Sequence, residues 1–382
     1  MKTWFLVHKW TSLVSTVFLL MLCVTGLPLI FHHEIDHALG YSVDPPPMAA
    51  VAGPASLDAI VADARRRRPG DAVQFLVRDP DEPDVWFVRT AETLEDAGLT
   101  AFFTYDARSG AFLHAYPVNQ GIMNVLLRLH VDMFAGLPGT LFLGAMGLLL
   151  AASLVSGTVL YGPFMRRLDF GAVRRDRSAR LKWLDLHNLL GIVTLVWVMV
   201  VGVTGVINTL SIPIFGQWRT TQLAEMTAPF RDAAPLEGPV SVDKAVRAAR
   251  AAEPEMDLSF MAFPGTRFAS PNHFIAFMQG TTPWTSKLLK PVMIDAQSGT
   301  VVARRDLPLY VQVLLVSQPL HFGDYGGMPL KIIWAILTVV AIVVLGSGLY
   351  LWLARRKIPV EARLKALKRG RRAGAPARSR PA

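Results

Sequence analysis

Four histidines stand where an ionisable ring is costly. His8 lies about one turn inside a long apolar run, and His187 lies at the same place in another. The two runs correspond along their length: Trp4–Gly26, WFLVHKWTSLVSTVFLLMLCVTG, returns as Trp183–Gly205, WLDLHNLLGIVTLVWVMVVGVTG. Trp4 falls on Trp183, His8 on His187, and Val24-Thr25-Gly26 on Val203-Thr204-Gly205. A second pair repeats in the same way. Arg128-Leu129-His130 precedes Gly136-Leu137-Pro138, as Pro319-Leu320-His321 precedes Gly327-Met328-Pro329. Further on, Ser156-Gly157 matches Ser347-Gly348.

A lone histidine at a membrane interface is more often solvated or capping than ligating. Here four are kept in two repeat-matched pairs while the sequence around them has diverged, and an ionisable residue in an apolar span marks a functional site by default. Repeats related by an axis along the membrane normal put His8 and His187 at one depth, and His130 and His321 at another. Two neutral imidazoles at equal depth suit the axial positions of a haem iron, with the macrocycle filling apolar space between helices. His8, His187, His130 and His321 are therefore the expected metal ligands. A rival cluster is His32-His33-Glu34-Ile35-Asp36-His37, where His33 and His37 share a helix face. It has no copy in the second half, where Ser211-Ile212-Pro213 stands. His37 reads as a wet helix end. His32 or His33 stands as an alternative to one of the outer ligands or as a landing point for ferric iron, so His33 is carried as a further cofactor-binding candidate. His114 and His273 show no partner. The single cysteine, Cys23, excludes an intrachain disulfide, a Cys-ligated iron–sulfur cluster and covalent haem attachment. No catalytic side chain is expected, because hydrolase, dinucleotide and Walker motifs are all absent.

These histidines need membrane helices to position them. Of 382 residues 52% are hydrophobic, and mean hydropathy is +0.36, the balance of a membrane protein with soluble parts. Four runs are long enough to cross a bilayer: Trp10–Phe31, Thr140–Tyr161, Leu189–Leu210 and Leu330–Leu353. Arginines and lysines gather at the N-terminus, between the second and third runs, and after the fourth. The positive-inside rule places all three, with both termini, in the cytoplasm. The +10 formal charge thus reflects topology and contact with anionic lipid, and nucleic acid is excluded as a partner. Both long loops then face outward. Each begins with a helical pattern, from Ser56-Leu57-Asp58 and from Ser241-Val242-Asp243. Strand-like runs follow at Val73–Val77, Val85–Thr90 and Ala101–Tyr105, and at Phe274–Met278 and Pro291–Ile294, with Asp-Ala-x-Ser-Gly turns at 106–110 and 295–299.

The expected fold is a membrane α-helical protein, with four transmembrane helices as two parallel repeats and two periplasmic α+β domains. Its expected parts are transmembrane helix 1 within 1–36, outer domain 1 at 40–125, helix 2 at 126–165, a cytoplasmic basic loop at 166–182, helix 3 at 183–212, outer domain 2 at 217–316, helix 4 at 319–355 and a basic cytoplasmic tail at 356–382.

Leu6-Val7-His8-Lys9-Trp10, Leu186-His187-Asn188, Arg128-Leu129-His130 and Leu320-His321-Phe322-Gly323, with Ser/Thr-Gly closing each span, resemble the PepSY-associated transmembrane family. The outer modules resemble PepSY domains, and within the family the chain is similar to inner-membrane ferrisiderophore reductases. That resemblance implies two b-type haems carrying electrons outward to a ferric siderophore. It also implies an electron donor outside this chain, either a membrane quinol or a cytoplasmic flavoprotein, because no flavin domain is fused. Two other functions stay open at this point: a siderophore permease, and a non-redox protein whose PepSY modules bind peptides or peptidases. The colour of the purified protein separates both from a haem protein.

Overall fold

A computed structural model describes residues 1–47, 55–79, 82–165, 169–234 and 236–356. Arg166 and Arg167 of the expected cytoplasmic loop, and nearly all of the expected basic tail, lie outside them. Helix α1 (Lys2–Leu29) is followed by α2 (His32–Ala38), α3 (Leu57–Arg67), β1 (Ala72–Val77), β2 (Val85–Ala91), β3 (Ala101–Asp106), β4 (Phe112–Tyr116), α4 (Gly121–Val131) and α5 (Gly136–Met165). The second half runs α6 (Ala179–Asn208), α7 (Ser211–Trp218), a π-helical turn (Arg219–Leu223), α8 (Ala224–Thr227), α9 (Val242–Ala252), β5 (Met256–Ala262), β6 (His273–Gly280), β7 (Leu289–Asp295), β8 (Val301–Arg304), α10 (Leu309–Phe322) and α11 (Gly327–Arg356).

Four helices, α1, α5, α6 and α11, are long and apolar enough to span a bilayer. They leave large apolar side chains bare, among them Val17, Leu148, Val196 and Ile336, each more than half exposed. Water would penalise that surface; hydrocarbon does not. The chain divides into two compact units. One comprises Met1–Val24, Met146–Met199 and the described part of Ile336–Ala382; the other comprises Thr25–Ala145 and Val200–Ala335.

The second unit corrects the expectation of two separate outer domains. It holds one eight-stranded antiparallel sheet in the order β4-β3-β2-β1-β5-β6-β7-β8. The two modules meet at β1 and β5, with Phe75 opposite Ala262, Leu76 opposite Met261 and Val77 opposite Phe260. Each strand would be a bare edge alone, and pairing satisfies both. On one face α3 and α9 share a single core, with Ile60, Ala64, Ala245 and Ala249 fully buried beside Leu76, Val88 and Phe274. Their caps are exchanged. The Asp243 carboxylate accepts from the Ser56 hydroxyl at 2.9 Å and from Leu57 N at 3.1 Å, while Asp58 accepts from Val242 N at 2.6 Å and from the Ser241 hydroxyl. Each carboxylate satisfies free N–H groups at the start of the other module's helix. On the opposite face Trp218, Leu223 and Met226 pack with Val311 and Leu315 against Phe75, Ile275 and Phe277.

Both Asp-Ala-x-Ser-Gly turns form as read. Asp106 accepts from Arg108 N at 2.8 Å, Asp295 accepts from Ser298 N at 2.6 Å, and Gly110 and Gly299 both take φ +74°. The Arg108 side chain on Asp106 holds that carboxyl down at about 2.

A second correction concerns the outer histidines, expected at the heads of spans. His130 lies on α4 and His321 on α10, each a helix separate from the span that follows. Met133 (φ 51°) and Phe134 (φ 60°) in left-handed conformations break the chain before α5, and Gly323 (φ 85°) breaks it before α11.

Candidate functional site: two facing histidine pairs

The sequence-matched histidines come together two by two. In the first unit His8 of α1 faces His187 of α6, with ring centres 6.5 Å apart and planes at 72°. In the second, His130 faces His321 at 6.3 Å and 63°. Backbone carbonyls orient the rings. His8 Nδ1 lies 2.9 Å from the Ser153 carbonyl oxygen, His187 Nδ1 3.0 Å from that of Val344, and His321 Nδ1 2.9 Å from that of Val201. A carbonyl can only accept, so Nδ1 carries the proton and Nε2 keeps the lone pair that a metal requires.

A hydroxyl stands beside each Nδ1. Thr25 Oγ1 is 2.9 Å from His130, Ser347 Oγ 3.0 Å from His187, Ser156 Oγ 3.5 Å from His8 and Thr204 Oγ1 3.5 Å from His321. The residue after each hydroxyl is a glycine against the same ring. A Cβ on Gly26 would sit 2.9 Å from His130 Cε1; on Gly205, 3.0 Å from that of His321; on Gly157, 3.0 Å from that of His8; and on Gly348, 3.2 Å from that of His187. All four Ser/Thr-Gly dipeptides are therefore cradles, in which the hydroxyl meets Nδ1 and the missing side chain admits Cε1. The sequence displayed these dipeptides as repeat-matched residues. Which ring each would meet is set by helix packing.

The donor set can be tested against the cofactor it suggests. Two collinear metal–imidazole bonds of about 2 Å, plus the ring on either side, span roughly 6 Å between ring centres. Both pairs fit that span. Among the described residues no three His, Cys, Asp or Glu side chains gather around one point, so protein side chains alone offer no full coordination shell. Two opposed imidazoles suit a metal whose remaining positions belong to a macrocycle, which is haem ligation.

His33 does not join either pair. Its Nδ1 lies 3.3 Å from Glu82 Oε1, and its ring centre is 4.3 Å from that of His32. The hydrogen bond with Glu82 raises the His33 pKa and lowers that of Glu82. His37 lies 4.0 Å from Asp44. His273 is buried against Ser270 and Phe230 inside the sheet unit, and His114 sits on β4, opposite Thr104. Near His187, the fully buried Asp185 carboxylate accepts both Nε (2.9 Å) and Nη2 (2.7 Å) of Arg174, fixing the loop before α6 to that helix.

The chain is 26% identical over 267 residues to an uncharacterized protein of Pseudomonas aeruginosa, covering 65% of this chain and 67% of that one. The PepSY-associated TM region is matched over residues 5–355, nearly the whole length in which these helices, sheet and histidine pairs lie. The chain belongs to the PepSY-associated transmembrane family.

Proposed function

We propose that this chain is an oxidoreductase of the bacterial inner membrane, an electron conduit that holds two b-type haems and reduces ferric iron in a siderophore on the periplasmic side. The observation that carries this reading is the pair of facing histidine couples at 6.5 and 6.3 Å, with Nδ1 of His8, His187 and His321 turned onto backbone carbonyls. His8 and His187 would hold one haem, and His130 and His321 the other. When bound, each haem supplies a one-electron Fe(III)/Fe(II) couple. With His8, His187, His130 and His321 committed to holding the haems, a ferric chelate would accept its electron without bonding to a haem iron. Reduced iron then suits the hard siderophore oxygens less well and is released. The arginine-rich loop and both termini are cytoplasmic on this reading, and electrons enter from a quinol or a separate flavoprotein because the sequence holds no dinucleotide fingerprint.

The test is spectroscopic and then functional. Purified protein should show a Soret band and about two non-covalent haems. His8→Ala or His187→Ala should remove or alter one haem, and His130→Ala or His321→Ala the other. Reduced protein should be reoxidised anaerobically by ferric siderophore, with Fe(II) trapped by ferrozine. Colourless protein, or four single variants with wild-type spectra, would sink the haem assignment. Intact haems that ignore ferric siderophore would sink the substrate.

A further inference from the structure

The sheet face that bears Phe75 carries cations that neither histidine pair uses. Arg89 projects from β2, Arg267 from the turn after β5, and Arg219 from the π-helical turn after α7. Their neighbours form one chain of contacts. Arg89 Cζ lies 5.5 Å from the Phe75 ring centre, Phe75 lies 5.9 Å from Phe268, and Arg267 Cζ lies 5.4 Å from Phe268. Trp218, next to Arg219, is 6.3 Å from the same Phe268 ring. Among the described residues no carboxylate makes an ion pair with any of the three arginines. Arg89 donates from Nη2 to the Ala97 and Gly98 carbonyls at 2.6 and 3.2 Å. Its Nε, and that of Arg267, are buried and meet no acceptor.

Such a group is unfavourable as it stands. Burial, and then the charge of Arg267, disfavour the cationic form of Arg89; burial, and then the charge of Arg219, disfavour that of Arg267. Desolvated like charges without a counter-ion cost free energy, and an entering anion reverses the sign. Guanidinium forks match paired oxygens, and the Phe75 and Phe268 rings offer an apolar floor beside them. The place is also specific to the fused sheet. Phe75 stands opposite Arg89 on one side and Ala262 on the other, so the site combines strand β1 and β2 residues with the turn leaving β5. Neither module could form it alone.

We infer that Arg89, Arg267 and Arg219 form a binding site for an oxygen-donor anion, and that its occupant is an anionic ferric chelate. The choice of occupant rests on the function proposed above; the anion site itself does not. The same oxygen chemistry could come from a lipid phosphate, so the experiment separates the two.

The probe is gallium(III) citrate, a redox-inert anionic chelate, titrated into the full chain in phosphatidylcholine nanodiscs. Binding should saturate, weaken with salt, and fall about tenfold in Arg267→Gln and in Arg219→Gln, the loss of one charge-assisted contact. Arg219 is exposed, so its substitution leaves the core intact; Arg231→Gln, also exposed in this unit, is the control and should bind as wild type. Equal affinity in all variants, or no binding by wild type, overturns the site. If phosphatidylglycerol displaces the chelate in wild type but not in Arg267→Gln, the occupant is a lipid headgroup and the chelate assignment falls. Redox failure is read separately. Intact gallium citrate binding without reoxidation of reduced protein by ferric citrate rejects the proposed function and keeps the site. Reoxidation with the same concentration dependence in Arg267→Gln rejects the site and keeps the function.

Discussion

Gly26→Ala sets two physical effects against each other. In an exposed helix the change should stabilise, since alanine is favoured over glycine by roughly 0.5–1 kcal/mol. At this position the new Cβ would lie 2.9 Å from His130 Cε1. Ordinary contact requires about half an ångström more, and the ring cannot retreat without loosening the 2.9 Å approach of its Nδ1 to Thr25 Oγ1. Overpacking of this kind costs about 1–3 kcal/mol, so the steric effect wins. The displacement is also comparable to the roughly 0.5 Å tolerance of a preorganised site. If the histidine pairs hold haems as proposed, purified Gly26→Ala should lose the His130–His321 haem, or retain it with a shifted reduction potential and altered low-spin electron paramagnetic resonance, while the His8–His187 haem keeps its signals. Gly346→Ala on α11, where a Cβ would meet nothing within 4 Å, is the control and should keep both haems. If Gly26→Ala matches that control in haem content, potentials and spectra, the cradle is ordinary helix packing and the argument from missing side chains is wrong.

The link between His33 and Glu82 should make the α2 contact depend on pH. The His33 pKa is raised in the fold, so its stabilisation is complete below the unfolded histidine value and disappears as pH rises through the folded one; the depressed Glu82 carboxyl loses its share as pH falls through its own folded value. Protection of the α2 amides, relative to their base-catalysed intrinsic exchange, should thus fall toward alkaline pH, and Glu82→Gln should flatten that fall; the same slope of protection in the variant would refute it. Arg174→Ala should strand the buried Asp185 carboxylate and lower thermal stability, whereas Arg174→Ala with Asp185→Asn should recover part of the loss. Thermal unfolding in detergent decides, and equal losses in the single and double variants would show that the pair carries no such penalty.

The spans were legible because twenty apolar residues in a row have few other uses. The histidine pairs were legible because the chain repeats itself, and a repeat exposes which residues resisted divergence. The separate helices carrying His130 and His321 were not. Gly121–Val131 is itself an apolar helix running up to the span, and the break rests on left-handed Met133 and Phe134, residue types that rarely advertise such a conformation. The fused sheet was hidden for a different reason. Pairing of β1 with β5 joins residues far apart in the chain, and Met256–Ala262 contains no neighbouring turn signal that points to its partner. The His33 contact was hidden too: i, i+4 spacing shows what two rings could share, while the acid beside one of them, Glu82, comes from the loop before β2.

The exchanged caps of α3 and α9 bear on biosynthesis. As the chain leaves the ribosome, the first module emerges with strand β1 open and Leu57 N still lacking the Asp243 carboxylate. Both are supplied only after α5 and α6, two of the four helices apolar enough to cross a membrane, have been synthesised. Were α6 inserted the wrong way round, Asp243 and strand β5 would be delivered to the opposite side of the membrane, and the first module would stay incomplete, with an unpaired edge open to aggregation or proteolysis. On the proposed topology, correct threading would thus be a precondition for the sheet.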